Sequence, residues 1–397
     1  MKHTIRSGGA ILWMRLGVAF AFCYLAFQQA RGCTIFILTD TNRVLFCNNE
    51  DWSNPKTRIW FVPAGVGYYG CVYVGYDDGW ARGGLNTKGL ACDWVGGFNE
   101  QWKAGPPERC VRGNPTERML ESCATISDAI AFCRQHPESD FARAKIFVAD
   151  KTGASAIIGV RDGRLKVEQT SQSRGFGFGD VIADKMLANS SAPTVANGAA
   201  ILRACVQRGQ YATKYSNVFD LKSGDIWLFP LGEPTDETKF NLAVELAKGG
   251  HYYDIPGIRE QLAQGKLQPL LTNMKRFFMD AFPPIPDPEP KLTAHLRASV
   301  EDARRGVMRS ADYTPQYWKG IARLQKEFQA DFQRYGELIS MTRVERRKDD
   351  CPHSYRYRVE FEKVTLLLCY VLSDQDQIAL LQSEGAERKP GADLGGD

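Results

Sequence analysis

Cys33 is the residue whose position points most directly to chemistry, because it follows a segment typical of a cleavable signal peptide. Basic residues come first, an uncharged apolar run covers 16–27, and the small residues Ala30 and Gly32 stand three and one positions before Cys33. The apolar run is too short to span a bilayer comfortably. The pattern predicts removal of residues 1–32, so that Cys33 begins the mature chain; a signal anchor or a buried helix is the alternative.

A cysteine at the first position of a chain carries both a nucleophile and a base. Its thiol has a reference pKa of about 8.5, and its α-amine one of about 7.7–8. A neutral amine within hydrogen-bond reach can accept the thiol proton and later donate it to a leaving amine. Cys33 is therefore predicted to attack the carbonyl carbon of an amide and to form an acyl-enzyme.

Two other roles for Cys33 stay open on the sequence. As the lipidated anchor of a lipoprotein its amine would be blocked; Gly32 suits that role, whereas Ala30 and Arg31 do not. As a structural residue it would pair with another cysteine. An oxidising compartment permits disulfides, but the sequence assigns no pairs among the other mature cysteines, which are Cys47, Cys71, Cys92, Cys110, Cys123, Cys133, Cys205, Cys351 and Cys369.

Three motifs in the first part of the mature chain, and one later stretch, follow one another in a recognisable order. They are Cys33-Thr34-Ile35-Phe36, the stretch 48–52 (Asn-Asn-Glu-Asp-Trp), the stretch 84–90 (Gly-Leu-Asn-Thr-Lys-Gly-Leu) and the stretch 213–221. In this order and spacing they resemble the choloylglycine hydrolase and penicillin V acylase group of N-terminal-nucleophile (Ntn) hydrolases, which act on linear amides. The resemblance covers roughly residues 33–229.

The resemblance implies roles for five positions of this chain. The nucleophile of the family falls on Cys33, and its aspartate falls on Asp51, which would orient the α-amine and stabilise its charged form. Asn49 is the amide two positions before that aspartate. The side chain that helps to form the oxyanion hole falls on Gly96, and Asp180 lies nearest to a second family asparagine.

The chain departs from the family pattern at several of these places. Asn48 replaces an arginine, Gly96 has no side chain, and a later active-site arginine has no counterpart. Backbone N–H groups can still bind an oxyanion, so the nucleophile chemistry survives. The departures argue against bile salts and penicillin V as natural substrates. Without the resemblance, Asp51 would also fit a turn or capping carboxylate.

The pattern of elements permits an α+β fold, and the resemblance implies the four-layer αββα sandwich of Ntn hydrolases over 33–281. Short β-rich runs follow Cys33, and a helix over 115–134 is expected to break near Thr125 and restart there. The proline-rich stretch 282–291 predicts a linker. Residues 292–384, with a helix over 315–338 and alternating strands, predict a small α+β accessory domain. A charged, glycine-rich tail over 385–397 is predicted to be disordered.

Charge and composition narrow the class of partner. The chain has 50 basic and 46 acidic residues, and the predicted signal peptide removes four basic residues and no acidic one. The mature chain is therefore neutral, which gives no support for nucleic acid as a partner. Neither a C-x-x-C pair nor an H-E-x-x-H motif occurs, and no metal or other cofactor is predicted. The aromatic residues Trp52, Trp60, Tyr68, Tyr69, Trp80 and Trp94 would line an acyl pocket or, for most of them, pack in the core.

These observations predict a secreted or periplasmic hydrolase of carbon–nitrogen bonds in linear, non-peptide amides. The substrate would be a small N-acyl amide with an apolar acyl group, bound without stable membrane insertion; a homo-oligomer is compatible with the sequence. An acyltransferase would use the same residues. The alternative from another class is a binding or scaffold protein of the cell envelope with an inactive site, which the losses at Asn48 and Gly96 favour and the presence of Cys33 and Asp51 opposes.

Overall fold

The computed structural model of the chain describes residues 32–189, 192–230, 237–344 and 353–394. The signal-peptide prediction for residues 1–32 lies outside the described residues, except for Gly32, and stays a prediction. Within these ranges, no helix has the length and apolar character that crossing a membrane requires.

The described strands are β1 to β19 in chain order. Their bounds are Thr34–Thr39, Val44–Asp51, Thr57–Val62, Cys71–Tyr76, Ala81–Asn86, Leu90–Gly96, Ala144–Asp150, Ser155–Arg161, Arg164–Thr170, Arg174–Gly177, Thr213–Asp220, Asp225–Pro230, Thr238–Asn241, His251–Asp254, Gln268–Pro269, Leu338–Arg343, Ser354–Phe361, Val364–Leu372 and Ile378–Arg388. The α-helices α1 to α9 are Pro115–Ser122, Ile126–Gln135, Asp180–Asn189, Val195–Ala204, Leu242–Ala247, Ile258–Gln264, Pro290–Arg305, Pro315–Ile321 and Gln325–Tyr335.

Two antiparallel sheets and two layers of helices form the larger part of the molecule. One sheet has the order β10-β1-β2-β11-β12-β13, and the other has the order β15-β14-β3-β4-β5-β6-β7-β8-β9. An apolar core joins the facing sides of the two sheets. Helices α1 and α2 cover the outer side of the nine-stranded sheet, and α3 and α4 cover that of the six-stranded sheet. The predicted αββα sandwich is confirmed.

Strand β2 shows why the two sheets stack. All eight of its residues are buried, because it lies between β1 and β11 and has a packed layer on each side. Alternate side chains of a strand point to opposite faces. Val44 and Phe46 therefore enter the core between the sheets, whereas Leu45 and Cys47 pack under helices α3 and α4.

The predicted break in the first helical region is confirmed. Helix α1 ends at Ser122, and α2 begins after Thr125, whose side chain accepts a hydrogen bond from the backbone N–H of Asp128. The Asp128 carboxylate accepts from the Thr125 backbone N–H in return. This reciprocal capping box satisfies donors that the first turn of a helix leaves unpaired.

The accessory unit packs three helices on a four-stranded antiparallel sheet with the order β16-β17-β18-β19. It differs from expectation in two places near its start. Helix α7 begins at Pro290, inside the range predicted as linker. The single helix predicted over 315–338 is two helices, α8 and α9, joined by a 3-10 turn at Ala322–Leu324.

The prediction of a disordered tail from residue 385 is wrong for its first four residues. Strand β19 continues to Arg388 and pairs with β18, so that Arg388 lies opposite Val364. The charged residues that suggested disorder belong to an edge strand of the four-stranded sheet, where Glu387 pairs with Arg112 and Arg388 pairs with Asp140.

Eight of the nine described mature cysteines are buried free thiols, namely Cys33, Cys47, Cys71, Cys92, Cys110, Cys123, Cys133 and Cys205. Cys351, the tenth, lies outside the described residues.

Candidate active site

Cys33 lies directly before β1, at the inner side of the six-stranded sheet. Ile35, two residues further on, belongs to the core between the sheets. Because residues i and i+2 of a strand share a face, the Cys33 side chain also points towards the other sheet. The register that pairs Thr34 with Asn49 places Cys33 beside Glu50 of β2. The thiol lies close enough to the Glu50 carboxyl and to the Asp51 backbone for both groups to affect its pKa. Cys33 is buried, with 7% of its surface exposed.

Two buried carboxyl groups stand beside this thiol. The Nδ2 atom of Asn48 donates to Asp93 Oδ2 at 2.8 Å and to Glu50 Oε2 at 3.3 Å. The hydroxyl of Tyr76 donates to Glu50 Oε1 at 3.0 Å. Strand β2 of the six-stranded sheet and strands β4 and β6 of the nine-stranded sheet thus bring four side chains together around Cys33, namely Asn48, Glu50, Tyr76 and Asp93. We call these five residues the inter-sheet polar cluster.

Burial governs protonation in this cluster. It raises the pKa of the Cys33 thiol well above its usual range, and the carboxyls of Glu50, Asp51 and Asp93 raise it further. Burial likewise raises the pKa values of Glu50 and Asp93. The thiol is therefore protonated at neutral pH, and attack on a carbonyl requires a base that takes its proton.

Asp51 is turned to the other side of β2. Its Oδ1 atom accepts a hydrogen bond from the Thr213 hydroxyl at 2.5 Å, whereas its Oδ2 atom is buried and has no hydrogen-bond partner. Burial is the main cause that raises the pKa of Asp51, to about 8, and Lys214 lowers it. The carboxyl is close enough to Cys33 to act on it electrostatically. One carboxyl oxygen thus remains open to a donor near the start of β1.

Asn49 faces the helix layer with Asp51. Its Nδ2 atom donates to the carbonyl of Leu202 at 2.9 Å, and its Oδ1 atom accepts from the Ser216 hydroxyl at 2.6 Å. Both ends of this buried amide are therefore engaged in joining β2 to helix α4 and strand β11. The geometry gives Asn49 a structural position that fixes the strand on which Asp51 and Glu50 stand.

Gly96 lies against the residue that precedes the nucleophile. A Cβ atom built on Gly32 would be 2.6 Å from the carbonyl oxygen of Gly96 and 2.8 Å from a methyl group of Val95. Gly32 therefore covers the end of β6. Because Asp93 and Val95 face the other sheet, a side chain at position 96 would point to the opposite face of β6. Gly96 can therefore contribute only backbone atoms near Cys33.

The loop between β10 and α3 closes another side of Cys33. The backbone N–H of Phe178 donates to the Cys33 carbonyl at 3.1 Å, and Gly177 adopts a φ of 105°. A Cβ atom on Gly177 would be 2.0 Å from the Cys33 carbonyl oxygen, so only glycine fits. Asp180 follows this loop, and its carboxylate accepts from the backbone N–H of Val181 at 2.6 Å, at the start of α3.

Sequence reasoning missed Glu50, Tyr76 and Asp93 as members of the site. Motif matching favoured Asn49 and Asp51, whereas strand alternation selects Asn48 and Glu50 as the residues of β2 that share a face with Cys33. That alternation was the available signal for Glu50. Asp93 and Tyr76 come from the opposite sheet, so only the tertiary fold brings them in.

Two of the aromatic residues considered for an acyl pocket lie in the core or pack against it. Trp60 is fully buried beside Tyr73, and Trp94 packs on Phe141 while its indole N–H donates to Thr116. Both belong to the layer between the nine-stranded sheet and helices α1 and α2. Among the described residues, no group of three or more His, Cys, Asp or Glu side chains is placed to hold a metal ion.

Comparison with known proteins gives structural likeness alone. No model of a protein family matches the sequence, and no curated protein matches it. Similar solved structures are a penicillin V acylase from Agrobacterium tumefaciens and a mutant form of a conjugated bile acid hydrolase from Clostridium perfringens. The first shares 15% identity and covers 56% of this chain and 91% of its own, with a TM-score of 0.45. The second shares 14% and covers 56% and 96%, with a TM-score of 0.43.

At such identities and TM-scores the likeness carries no argument about activity. The αββα architecture rests on the sheets and helix layers of this chain itself. The two neighbours are Ntn hydrolases of the choloylglycine hydrolase family, which is the family that the sequence resembles.

Proposed function

We propose that the protein is an exported amidohydrolase in which Cys33, as the first residue of the mature chain, cleaves a linear, non-peptide amide. The observation that carries this proposal is the placement of Asp51 near Cys33 with one buried carboxyl oxygen that has no hydrogen-bond partner. An unpaired buried acceptor is costly, and a charged donor compensates for it well. Cleavage before Cys33 would create such a donor, the α-ammonium group.

The proposed reaction begins with proton transfer inside Cys33. The neutral α-amine accepts the thiol proton while Sγ attacks the carbonyl carbon of the substrate, and the C=O π electrons move to oxygen. The resulting ammonium donates a proton to the leaving nitrogen as the C–N bond breaks, which leaves a thioester on Cys33. A water molecule then attacks the thioester, gives a proton to the amine, and releases the carboxylic acid and the thiol.

Asp51 acts on this cycle through the amine. The carboxyl is positioned to accept a hydrogen bond from the amine on Oδ2, while the Thr213 hydroxyl holds Oδ1. A carboxylate next to the amine stabilises the ammonium form that appears as the thiol loses its proton. Asp51 therefore orients the amine and stabilises its positive charge, and it does not itself react with the substrate.

Backbone N–H groups would stabilise the oxyanion. Gly96 has no side chain, so the side chain implied by the resemblance cannot act there. Removal of Gly32 would free the space beside the Gly96 backbone that it covers in this structure. The side chains of the inter-sheet polar cluster beside the Cys33 thiol do not support the apolar acyl group expected from the sequence.

Two alternatives use the same structure. An acyltransferase would release the thioester to an amine in place of water, through identical residues. A scaffold protein with an inactive site is favoured by the burial of Cys33 and by the departures at positions 48 and 96. Export and signal cleavage belong to the proposal, and a lipidated Cys33 would exclude the amine as base.

The experiment is turnover of a panel of N-acyl amides by protein purified with residue 33 at its amino terminus, as checked by intact mass. The panel includes fatty acyl amino acids, acyl homoserine lactones, acyl anilides, a bile-salt conjugate and penicillin V. Release of amine that disappears in Cys33→Ala supports the proposal. A folded protein with a free Cys33 amine and no turnover on the whole panel would favour the scaffold.

A further inference from the structure

The space between the sheets next to Cys33 is lined by more hydrogen-bond acceptors than donors. Glu50 and Asp93 contribute two carboxyl groups, which are 4% and 1% exposed. The donors that reach them are the Asn48 amide, which is shared between both, the Tyr76 hydroxyl and the backbone N–H of Trp94. When the carboxyls are ionised, acceptor positions remain unfilled on this face.

Asn48 and two further polar side chains on the same face, Tyr215 and Asn217, have atoms that form no hydrogen bond. The Oδ1 atom of Asn48, the hydroxyl of Tyr215 and both ends of the Asn217 amide are buried without a hydrogen bond. All three residues are 0% exposed. Asn217 lies opposite Asn48 in the β2–β11 pair, and Tyr215 interacts electrostatically with Glu50, Asp93 and Cys33. These groups therefore face the inter-sheet polar cluster.

Buried polar atoms without partners are uncommon in folded proteins, because each one forfeits its hydration without compensation. A concentration of them beside a nucleophile indicates a place that is completed by something bound. The pattern of acceptors indicates a ligand group that is rich in N–H donors.

The charges at the site lead to the same class of ligand. Arg82 acts electrostatically on both Glu50 and Asp93; its guanidinium stacks on the Tyr76 ring at 5.6 Å and donates to Asp78 on the outer side. Burial raises the pKa of both carboxyls, so their ionised forms need a bound cation; with both ionised, the two carboxylates and Arg82 carry a net charge of −1. One monovalent cation would neutralise the site, and burial would make this pairing strong.

We propose that this face binds a protonated amine or guanidinium of the substrate, within a few bonds of the scissile amide, through the carboxyls of Glu50 and Asp93. Asn48, Tyr215 and Asn217 supply further hydrogen bonds to the same part of the substrate. The inference rests on the proposed function, since it assigns the substrate class of the Cys33 site. Access follows from cleavage, because Gly32 packs against Val95, two residues after Asp93 on β6.

The test is a binding measurement that needs no turnover. Protein that begins at residue 33 and carries Cys33→Ala is titrated by calorimetry with two pairs of amides of equal size. The first pair places the cation on the acyl side, N-phenyl-4-aminobutanamide against N-phenylpentanamide. The second places it on the amine side, N-(4-aminobutyl)acetamide against N-pentylacetamide. In at least one pair the ammonium compound is expected to bind about tenfold tighter or more, since charge-assisted bonds to buried carboxylates are strong.

Variants identify the groups responsible. Asp93→Asn and Glu50→Gln, in the same Cys33→Ala background, are each expected to bring the affinity ratio of that pair close to one. Two separate variants, with thermal melts for each, keep the test informative when one of them fails to fold. The matched control is Glu138→Gln, a buried carboxyl whose pKa burial raises to about 7, and whose partner is the backbone N–H of Val111. It should leave the ratio unchanged.

The outcomes separate this inference from the proposed function. Equal affinities within both pairs overturn the cation site, whether or not the enzyme turns over neutral amides. An ammonium preference that survives both substitutions overturns the assignment to Glu50 and Asp93. Absence of turnover with wild-type protein, together with the expected affinity ratio, would leave a cation-binding site and reject the hydrolase.

Discussion

At the scale of single residues, the two faces of β2 present different carboxyl groups to Cys33. Glu50 lies on the thiol side, whereas Asp51 is on the other face and offers an open oxygen near the chain start. The thiol is thus surrounded by groups that oppose its ionisation. Catalysis by a thiolate present before substrate binds is therefore disfavoured, and proton transfer during attack is required.

Asp51→Asn is expected to lower kcat/KM of the mature enzyme by about 100-fold or more, because the ammonium form of the amine loses its charge partner. The Asn side chain can still accept from the Thr213 hydroxyl, so the fold should be kept. The measurement is turnover of the best panel substrate, with Asp225→Asn, a carboxylate on β12 paired with Lys239, as control. Unchanged kcat/KM in Asp51→Asn would remove Asp51 from the mechanism.

The raised pKa of Asp51 also predicts a pH dependence of stability for protein that retains Gly32. Burial raises this pKa to about 8 in the folded state, against about 3.9 in an unfolded chain. The folded state therefore keeps a proton that the unfolded state loses, and its contribution to stability is lost as pH rises from about 4 to 8. Asp51→Asn should flatten this decline, by about 1 kcal/mol or more at pH 8, in urea melts across this range. Parallel declines would show that Asp51 titrates normally.

At the scale of elements, the β10–α3 loop fixes the Cys33 backbone. Gly177→Ala is expected to destabilise the protein by about 2 kcal/mol or more and to reduce turnover. The residue has a positive φ, which strains any L-amino acid, and the added Cβ would lie 2.0 Å from the Cys33 carbonyl oxygen. Gly209→Ala is the matched control, because Gly209 has a φ of 94° and a Cβ there would meet nothing within 4 Å. Thermal melts and turnover of both variants check this; equal losses would mean that φ alone matters.

The sequence predicted elements well where a local signal was complete. Thr125 and Asp128 carry both halves of a capping box, and the break between α1 and α2 was found. The stretch 150–153 (Asp-Lys-Thr-Gly) likewise predicts a turn between strands over 144–148 and 154–160, and β7 and β8 pair there as a hairpin. Helix α7 was missed, because its first residues lie in the proline-rich stretch. Asp93 was missed as a site residue, because nothing local marks a carboxylate that becomes buried only when the second sheet stacks on the first.

At the scale of the whole molecule, the accessory unit is joined to the sandwich by an ion pair and by hydrogen bonds from an arginine to backbone carbonyls. Arg388 of β19 donates to both oxygens of Asp140 at 2.8 and 2.6 Å, and its guanidinium lies 5.0 Å from the Trp80 ring. Arg358 donates to the carbonyls of Met279 and Phe282, at the end of the sandwich. The last strand therefore contributes to both units.

Removal of residues 385–397 tests this interpretation of the tail. It deletes the end of β19 and the Arg388–Asp140 pair, so the melting temperature should fall by several degrees. Removal of 395–397 alone is the control and should leave the melting temperature unchanged. Equal melting temperatures for both truncations would restore the view that the whole range is dispensable.

The proposed mechanism depends above all on the α-amine of Cys33 acting as the base, and a comparison of two amino termini isolates that group. The same acyl amide is offered to protein that begins at Cys33 and to protein that begins at Gly32, each verified by mass, and the rate of amine release is measured. We expect turnover by the first form and a loss of about 100-fold or more in the second, whose Cys33 nitrogen is an amide without basicity. Equal rates in the two forms would show that the amine is not the base.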